Sequence, residues 1–268
     1  MELKDYESIL KHLNSFSWEN EVADEMIFDI AKSNFQKLAQ EKTKNHKIIR
    51  LAGQSGSGKT TQLLPTANAY CKKHGICPIR FAVRDFAPLH PNYNELLQEF
   101  GKEQIREKTN GFALRCLLIS LILAINEGYD ILFEVTLLSH EFEDFIFSHL
   151  AKNNYSCLFL VLAVSKEISD YFIHERSLHS LTEAKRVVYK ASSDYFEKAL
   201  CDEISYFAQA HKNERVIIWS AYDFLPVFDG KFADAEKVFF ETKKITSHSF
   251  QNEDELRDAK IKYILNLN

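Results

Sequence analysis

The stretch Lys47-Ile48-Ile49-Arg50-Leu51-Ala52-Gly53-Gln54-Ser55-Gly56-Ser57-Gly58-Lys59-Thr60 decides how the rest of the chain is read. Its first six residues have strand character, and the next eight complete the pattern G-x-x-x-x-G-K-[ST], a loop that cradles phosphate. Glycines at 53, 56 and 58 let successive backbone N–H groups converge on phosphate oxygens, and a helix beginning near Lys59 adds the positive end of its dipole. The pattern assigns Gly53, Gln54, Ser55, Gly56, Ser57, Gly58, Lys59, Thr60 and Thr61 to the phosphates of a nucleotide. Lys59 reaches the β- and γ-phosphates, and the Thr60 hydroxyl ligates Mg²⁺.

The remaining composition suits a cytoplasmic enzyme. With 268 residues and 46% hydrophobic content the chain can bury a sizeable core, consistent with one large α/β domain with additions. A formal charge of −5 argues against nucleic acid as the partner, because binding a phosphate backbone needs a basic face. The apolar run from Leu117 to Ile125, interrupted by Ser120, is too short to cross a bilayer. The start Met1-Glu2-Leu3-Lys4-Asp5 lacks the layout of a signal peptide, so no membrane association is expected. Cys71, Cys77, Cys116, Cys157 and Cys201 show no C-x-x-C pairing and read as free, buried thiols in a reducing compartment.

Residues 1–46 read as a helical N-terminal extension packed on the core, with Ile9, Leu13, Met26, Ile27, Ile30 and Phe35 at helical spacing. Residues 47–240 form the main domain. Strand-like runs at Lys47–Ala52, Pro78–Arg84, Asp130–Val135, Cys157–Val164 and Arg215–Ser220 alternate with helical segments. That alternation predicts a three-layer P-loop fold around a mostly parallel five-stranded sheet. The apolar run Leu158–Leu162 suits a central strand. Leu117, Ile119, Leu121 and Leu123, with Phe142, Phe145 and Phe147, read as core. Residues 241–268 read as a polar, helical tail ending in a helix over Glu253–Leu267.

A phosphate loop alone does not separate kinases from motors, transport ATPases or GTPase switches. No L-S-G-G-Q, D-x-x-G or N-K-x-D occurs. The chain carries instead Arg84-Asp85-Phe86-Ala87-Pro88-Leu89-His90-Pro91-Asn92-Tyr93 with its continuation through Glu95-Leu96-Leu97-Gln98-Glu99-Phe100-Gly101-Lys102, then Thr109-Asn110-Gly111-Phe112-Ala113, then Phe133-Glu134-Val135-Thr136-Leu137. In these blocks, in this order over roughly residues 20 to 230, the chain resembles the zeta-toxin family of bacterial P-loop kinases. The resemblance implies transfer of the ATP γ-phosphate to the 3′-hydroxyl of UDP-N-acetylglucosamine, and an antitoxin partner that blocks the nucleotide site.

Phosphoryl transfer needs cradled phosphates, a metal, positive groups and a base near the acceptor hydroxyl. Asp85, at the end of the second strand, is the candidate base and a candidate metal contact through water; the alternative is a turn aspartate. Glu134, which resembles the glutamate of the family's E-G-T motif, is a candidate to hold the acceptor or a metal-bound water and is the fallback base, and Thr136 is a candidate for acceptor binding. A buried carboxylate paired with a structural cation is the other reading of Glu134. His90 is grouped with the acceptor residues, as one that shapes the loop. Arg176 and Arg186 are the available lid cations, although His174 falls where the resemblance places the first lid arginine. Three departures touch the acceptor side: Arg84 stands where the family's catalytic aspartate falls, Val135 replaces a glycine, and Leu138 replaces an arginine. A kinase for another sugar, nucleotide or alcohol, and an ATP-binding pseudokinase that acts through a protein partner, therefore stand as alternatives.

Overall fold

The computed structural model describes residues 21–134, 140–178, 183–220 and 226–248. The elements run in the order α1 (Asp24–Leu38), β1 (Lys47–Ala52), a π turn (Lys59–Leu63) leading into α2 (Leu64–Lys73), β2 (Ile79–Ala82), α3 (Tyr93–Asn126), β3 (Ile131–Glu134), α4 (His140–Lys152), β4 (Ser156–Ala163), α5 (Lys166–Leu178), α6 (Glu183–Ala210), β5 (Arg215–Ser220), β6 (Pro226–Lys231) and α7 (Phe232–His248). The sheet order is β2-β3-β1-β4-β5-β6. Strands β2 and β3 are parallel, as are β4 and β5, whereas β6 returns antiparallel to β5. This is the mostly parallel sheet expected, with a sixth strand that the sequence did not disclose. Pro226 opens that strand, its register on β5 shifts between Ile218 and Trp219, and most of its residues are exposed, as on a sheet edge.

The chain forms two compact units interleaved in sequence. The first holds the described residues up to Ile48, together with Gly75–Glu134 and Phe145–Ser156. Helix α3 is its centre. Every residue from Phe112 to Ile125 is buried, so the long apolar run is a core helix. Gly101 breaks it near its start with φ 72° and ψ 169°, a conformation open essentially to glycine alone. Helix α1 packs on α3 through Ile27, Phe28, Ala31 and Phe35. Ser120 donates to the Ala31 carbonyl at 3.2 Å, and Arg115 pairs with Asp24 at 3.2 Å. Met26, expected in the apolar stripe, is 49% exposed, and Phe28 takes the inward place. Ile9, Leu13 and the run Glu253–Leu267 lie outside the described residues.

Asp130 is the polar anchor of the same unit. Its carboxylate accepts from Thr43 Oγ1 (2.5 Å), Asn45 Nδ2 (2.7 Å) and the backbone N–H groups of Asn45 and Lys47 (3.1 and 3.0 Å). One buried acid thus fixes the loop that leads into β1.

The second unit contains residues 49–74, 140–144 and those from Cys157 onward. Leu158 through Ala163 of β4 are all buried, as a central strand requires. Phe159, Phe207 and Phe232 meet with ring centroids 4.9–5.2 Å apart. Beside them lies the guanidinium of Arg50, 1% exposed. Its Nη1 and Nη2 donate to the two carboxylate oxygens of Glu143, the second at 2.6 Å, and Nη2 lies 3.5 Å from Glu203. Burial by itself would lower the Arg50 pKa; the charge and hydrogen bonds of Glu143, then Glu203, reverse that and raise it. The cysteines are all free, but Cys77 is exposed rather than buried.

Two carboxylates against one guanidinium leave one acid without a full counter-charge. Burial, then Glu143, push the Glu203 carboxyl up to about 8, against the pull of Arg50 and Lys59. Folding therefore holds an extra proton on Glu203 between its ordinary value near 4.5 and about 8, so this group's contribution to stability falls as pH rises through that window. Glu203→Gln, neutral throughout, is expected to gain on the wild type in urea midpoint as pH is raised from 5 to 8. Parallel pH profiles for the two proteins would refute this account.

Candidate functional site

The phosphate loop lies where β1 ends, and α5 braces it from within the second unit. Ser169 Oγ donates to the Ser55 carbonyl, and Gln54 Nε2 donates to the Ser165 carbonyl at 3.4 Å. Two positions admit only glycine. Gly56 has φ +76°, and a Cβ there would sit 2.5 Å from the Ser169 carbonyl oxygen. Gly58 has φ 97° and caps the π turn, its carbonyl accepting from the N–H groups of Thr61 (3.2 Å) and Gln62 (2.8 Å). At Gly53 a Cβ would meet Ser57 Oγ at 2.7 Å. The backbone is thus held at a closeness that a side chain would destroy, which is the fit a polyphosphate needs.

Lys59 Nζ donates to the carbonyls of Gly53 and Gln54, the second at 2.9 Å, so the ammonium is folded over its own loop. Thr60 is exposed, and the Thr61 hydroxyl donates to the Gly58 carbonyl at 3.3 Å. These residues supply an ammonium, a threonine hydroxyl and a glycine-shaped cradle, the donor set suited to a magnesium–nucleotide complex.

Asp85, Glu134 and His90, singled out on the acceptor side, belong to the first unit. Strand β2 stops at Ala82, and Val83–Asp85 form a 3₁₀ turn, so strand alternation does not govern where Asp85 points. The Asp85 carboxylate is half-exposed, 3.7 Å from Arg84 Nε. Glu134 ends β3 opposite Ala82 and is 8% exposed. It accepts from Arg80 Nη2 at 2.9 Å and Arg84 Nη2 at 3.0 Å. The residue at the family's aspartate position therefore pairs with the glutamate. His90 packs edge-on to Phe112 (4.9 Å), and its Nδ1 accepts from the Asn92 N–H at 3.2 Å, which leaves the ring proton on Nε2. Burial lowers its pKa, with Glu21 opposing.

Val135, Thr136 and Leu138 lie outside the described residues. Arg176 lies on α5 and Arg186 on α6; their side chains, and that of His174, also lie outside what is described. Among the described residues no group of three or more His, Cys, Asp and Glu side chains could hold a metal by itself. Two contributors escaped sequence reasoning, Lys243 on α7 and the partners of Glu134, because both depend on which elements become neighbours.

The zeta toxin family profile matches residues 32–242, so the chain belongs to the zeta toxin family, kinase-like phosphotransferases built on a P-loop. No curated protein matches. Among solved structures, a chain of the PezAT chromosomal toxin-antitoxin system of the human pathogen Streptococcus pneumoniae is similar at TM-score 0.68 and 23% identity, over 93% of this chain and 99% of that one. A chain of the complex of AvrRxo1-ORF1 with AvrRxo1-ORF2 is similar at TM-score 0.52 and 14% identity, over 91% and 82%. At these identities the likeness is one of fold.

Just beyond the cradle, Gln62 is 3% exposed, and neither atom of its amide has a hydrogen-bond partner among the described residues. An unpaired buried polar group costs about 1–3 kcal/mol. Gln62→Met, which keeps the length of the side chain and removes the amide, is expected to stabilise the nucleotide-free protein by about 1–2 kcal/mol in urea unfolding. A lower midpoint would show that the amide is satisfied in solution.

Proposed function

We propose that this chain transfers the γ-phosphate of ATP to a hydroxyl of a nucleotide sugar, UDP-N-acetylglucosamine in the first instance, and that it is the toxin of a toxin-antitoxin pair in the cytoplasm. The observation that carries this reading is the glycine-shaped loop at the end of β1, with Lys59 and Thr60 at its rim. ATP supplies the transferable phosphoryl group, and Mg²⁺ offsets its charge.

The protein's part is to bind and orient. The loop amides accept the polyphosphate. Lys59 would exchange two neutral carbonyls for phosphate oxygens, and the Thr60 hydroxyl would hold Mg²⁺. Asp85, on an open turn, is assigned to take the proton of the acceptor hydroxyl. Glu134 and Thr136 are assigned to hold the acceptor, and Arg176 and Arg186 to close over the transferring group. An antitoxin partner accords with the PezAT chain, which belongs to a toxin-antitoxin system, and a protein partner accords with the complex of AvrRxo1-ORF1 with AvrRxo1-ORF2.

A second reading has a specific observation behind it. Arg84 stands where the resemblance places an aspartate and pairs with Glu134, an arrangement also suited to an ATP-binding protein that has lost transfer and acts by holding a partner.

Mass spectrometry of nucleotide-sugar pools incubated with the protein and ATP is expected to reveal a product with one added phosphate. Lys59→Ala should abolish it, and Asp85→Asn should lower turnover by about 10²–10⁴-fold with ATP affinity retained. ATP binding without any phosphorylated acceptor selects the second reading. Full turnover in Asp85→Asn removes Asp85 from the mechanism.

A further inference from the structure

Lys243 lies on α7, in a segment whose composition reads as a polar tail, yet it is only 8% exposed. A buried ammonium needs both a counter-charge and acceptors for its protons. Glu197 Oε1 supplies the charge at 2.9 Å, and Cys201 Sγ, also on α6, lies at 3.7 Å. The third acceptor is Gln54 Oε1, at 3.2 Å. Gln54 is the second residue of the phosphate loop and is 1% exposed.

The Gln54 side chain is spanned from both sides. Its oxygen faces the ammonium, which can only donate, so its Nε2 is directed to the Ser165 carbonyl at 3.4 Å. The backbone of the same residue serves the cradle. The Gln54 carbonyl accepts from Lys59 Nζ at 2.9 Å and from the Ser57 N–H at 3.2 Å. Whatever fixes the Gln54 side chain thereby fixes the peptide that Lys59 leans on and the first turn of the loop.

We infer that Lys243 is a positioning residue for the nucleotide site, acting through the Gln54 side chain, so that α7 is a working part of the phosphate cradle. The consequence for nucleotide affinity rests on the ATP reading given above; the consequence for loop order does not. Lys243→Met keeps the aliphatic stem and removes the donors, whereas Lys243→Arg keeps charge and donors. Glu197 remains paired only in the second.

The test is hydrogen exchange of the unliganded full chain by mass spectrometry, together with ATP titration and steady-state kinetics. In Lys243→Met, peptides covering residues 53–60 are expected to exchange about tenfold faster, while α6 peptides keep the wild-type rate. ATP affinity should fall about tenfold, the lower end for losing a hydrogen bond to a charged donor, with KM for ATP rising far more than kcat falls. Lys243→Arg should restore most of both. Should Lys243→Met fail to fold, Gln54→Met removes the same bond from the loop side and should give the same loop-confined exchange. Unchanged exchange over residues 53–60, or an increase shared equally by α6, overturns the proposal and makes Lys243 a packing residue. A wild-type chain that binds no ATP sinks the kinase reading, and the exchange contrast still decides the role of Lys243.

Discussion

Arg50 puts a full positive charge into the buried part of β1, three residues before the phosphate loop, and the second unit is organised around answering it. An unpaired guanidinium in that position would cost several kcal/mol. Glu143 on α4 meets it with both oxygens, Glu203 on α6 approaches from 3.5 Å, and Phe159 and Phe207 set their rings 5.0 and 5.5 Å from its carbon. A buried pair of this kind adds little over an apolar core of the same shape, but it is unforgiving of register: if either helix slides by a residue, a charge is stranded. The strand that delivers the cradle is pinned by that intolerance.

The parts of the fold legible in the sequence were those where one local signal sufficed. β1 and β5 stand on the residues expected, because apolar, β-branched runs bounded by polar or glycine residues specify strands by themselves. The cradle was legible for the same reason, since its spacing is its geometry. β6 was not. Pro226, Asp229 and Gly230 each argue against a strand, and it forms because β5 offers a partner and Arg215 holds Asp229 through two hydrogen bonds of 2.9 and 2.8 Å. Met26 and Phe28 exchanged places for a related reason: both fit a helical stripe, and only the position of α3 decides which turns inward.

The acceptor side was legible as a set of residue types and illegible as an arrangement. That Glu134 is a buried acid agrees with its place at the end of an apolar strand. That its partners are Arg80 and Arg84 comes from β2 lying beside β3 with Ala82 opposite Glu134, which puts the arginines two residues to either side of that register point. Pairing between strands carries no sequence marker here. The same holds for Lys243 and Gln54, whose contact joins positions 189 residues apart.

Lys59 and Glu134 start from different electrostatic positions. Lys59 donates to two neutral carbonyls, so exchanging them for phosphate oxygens adds the attraction of an opposite charge to bonds whose donor is already ionised. Glu134 already has two guanidinium partners, and an acceptor hydroxyl that displaced either one would trade an ion pair for a weaker bond. The exchange is favourable only if the displaced arginine finds another anion; Arg84 has the Asp85 carboxylate 3.7 Å away, and Arg80 would need one from the acceptor. A nucleotide sugar brings one in its diphosphate, whereas a neutral sugar or alcohol does not. On the proposed reading, the arginines paired with Glu134 would favour a charged acceptor, and Arg84 would contribute to that discrimination.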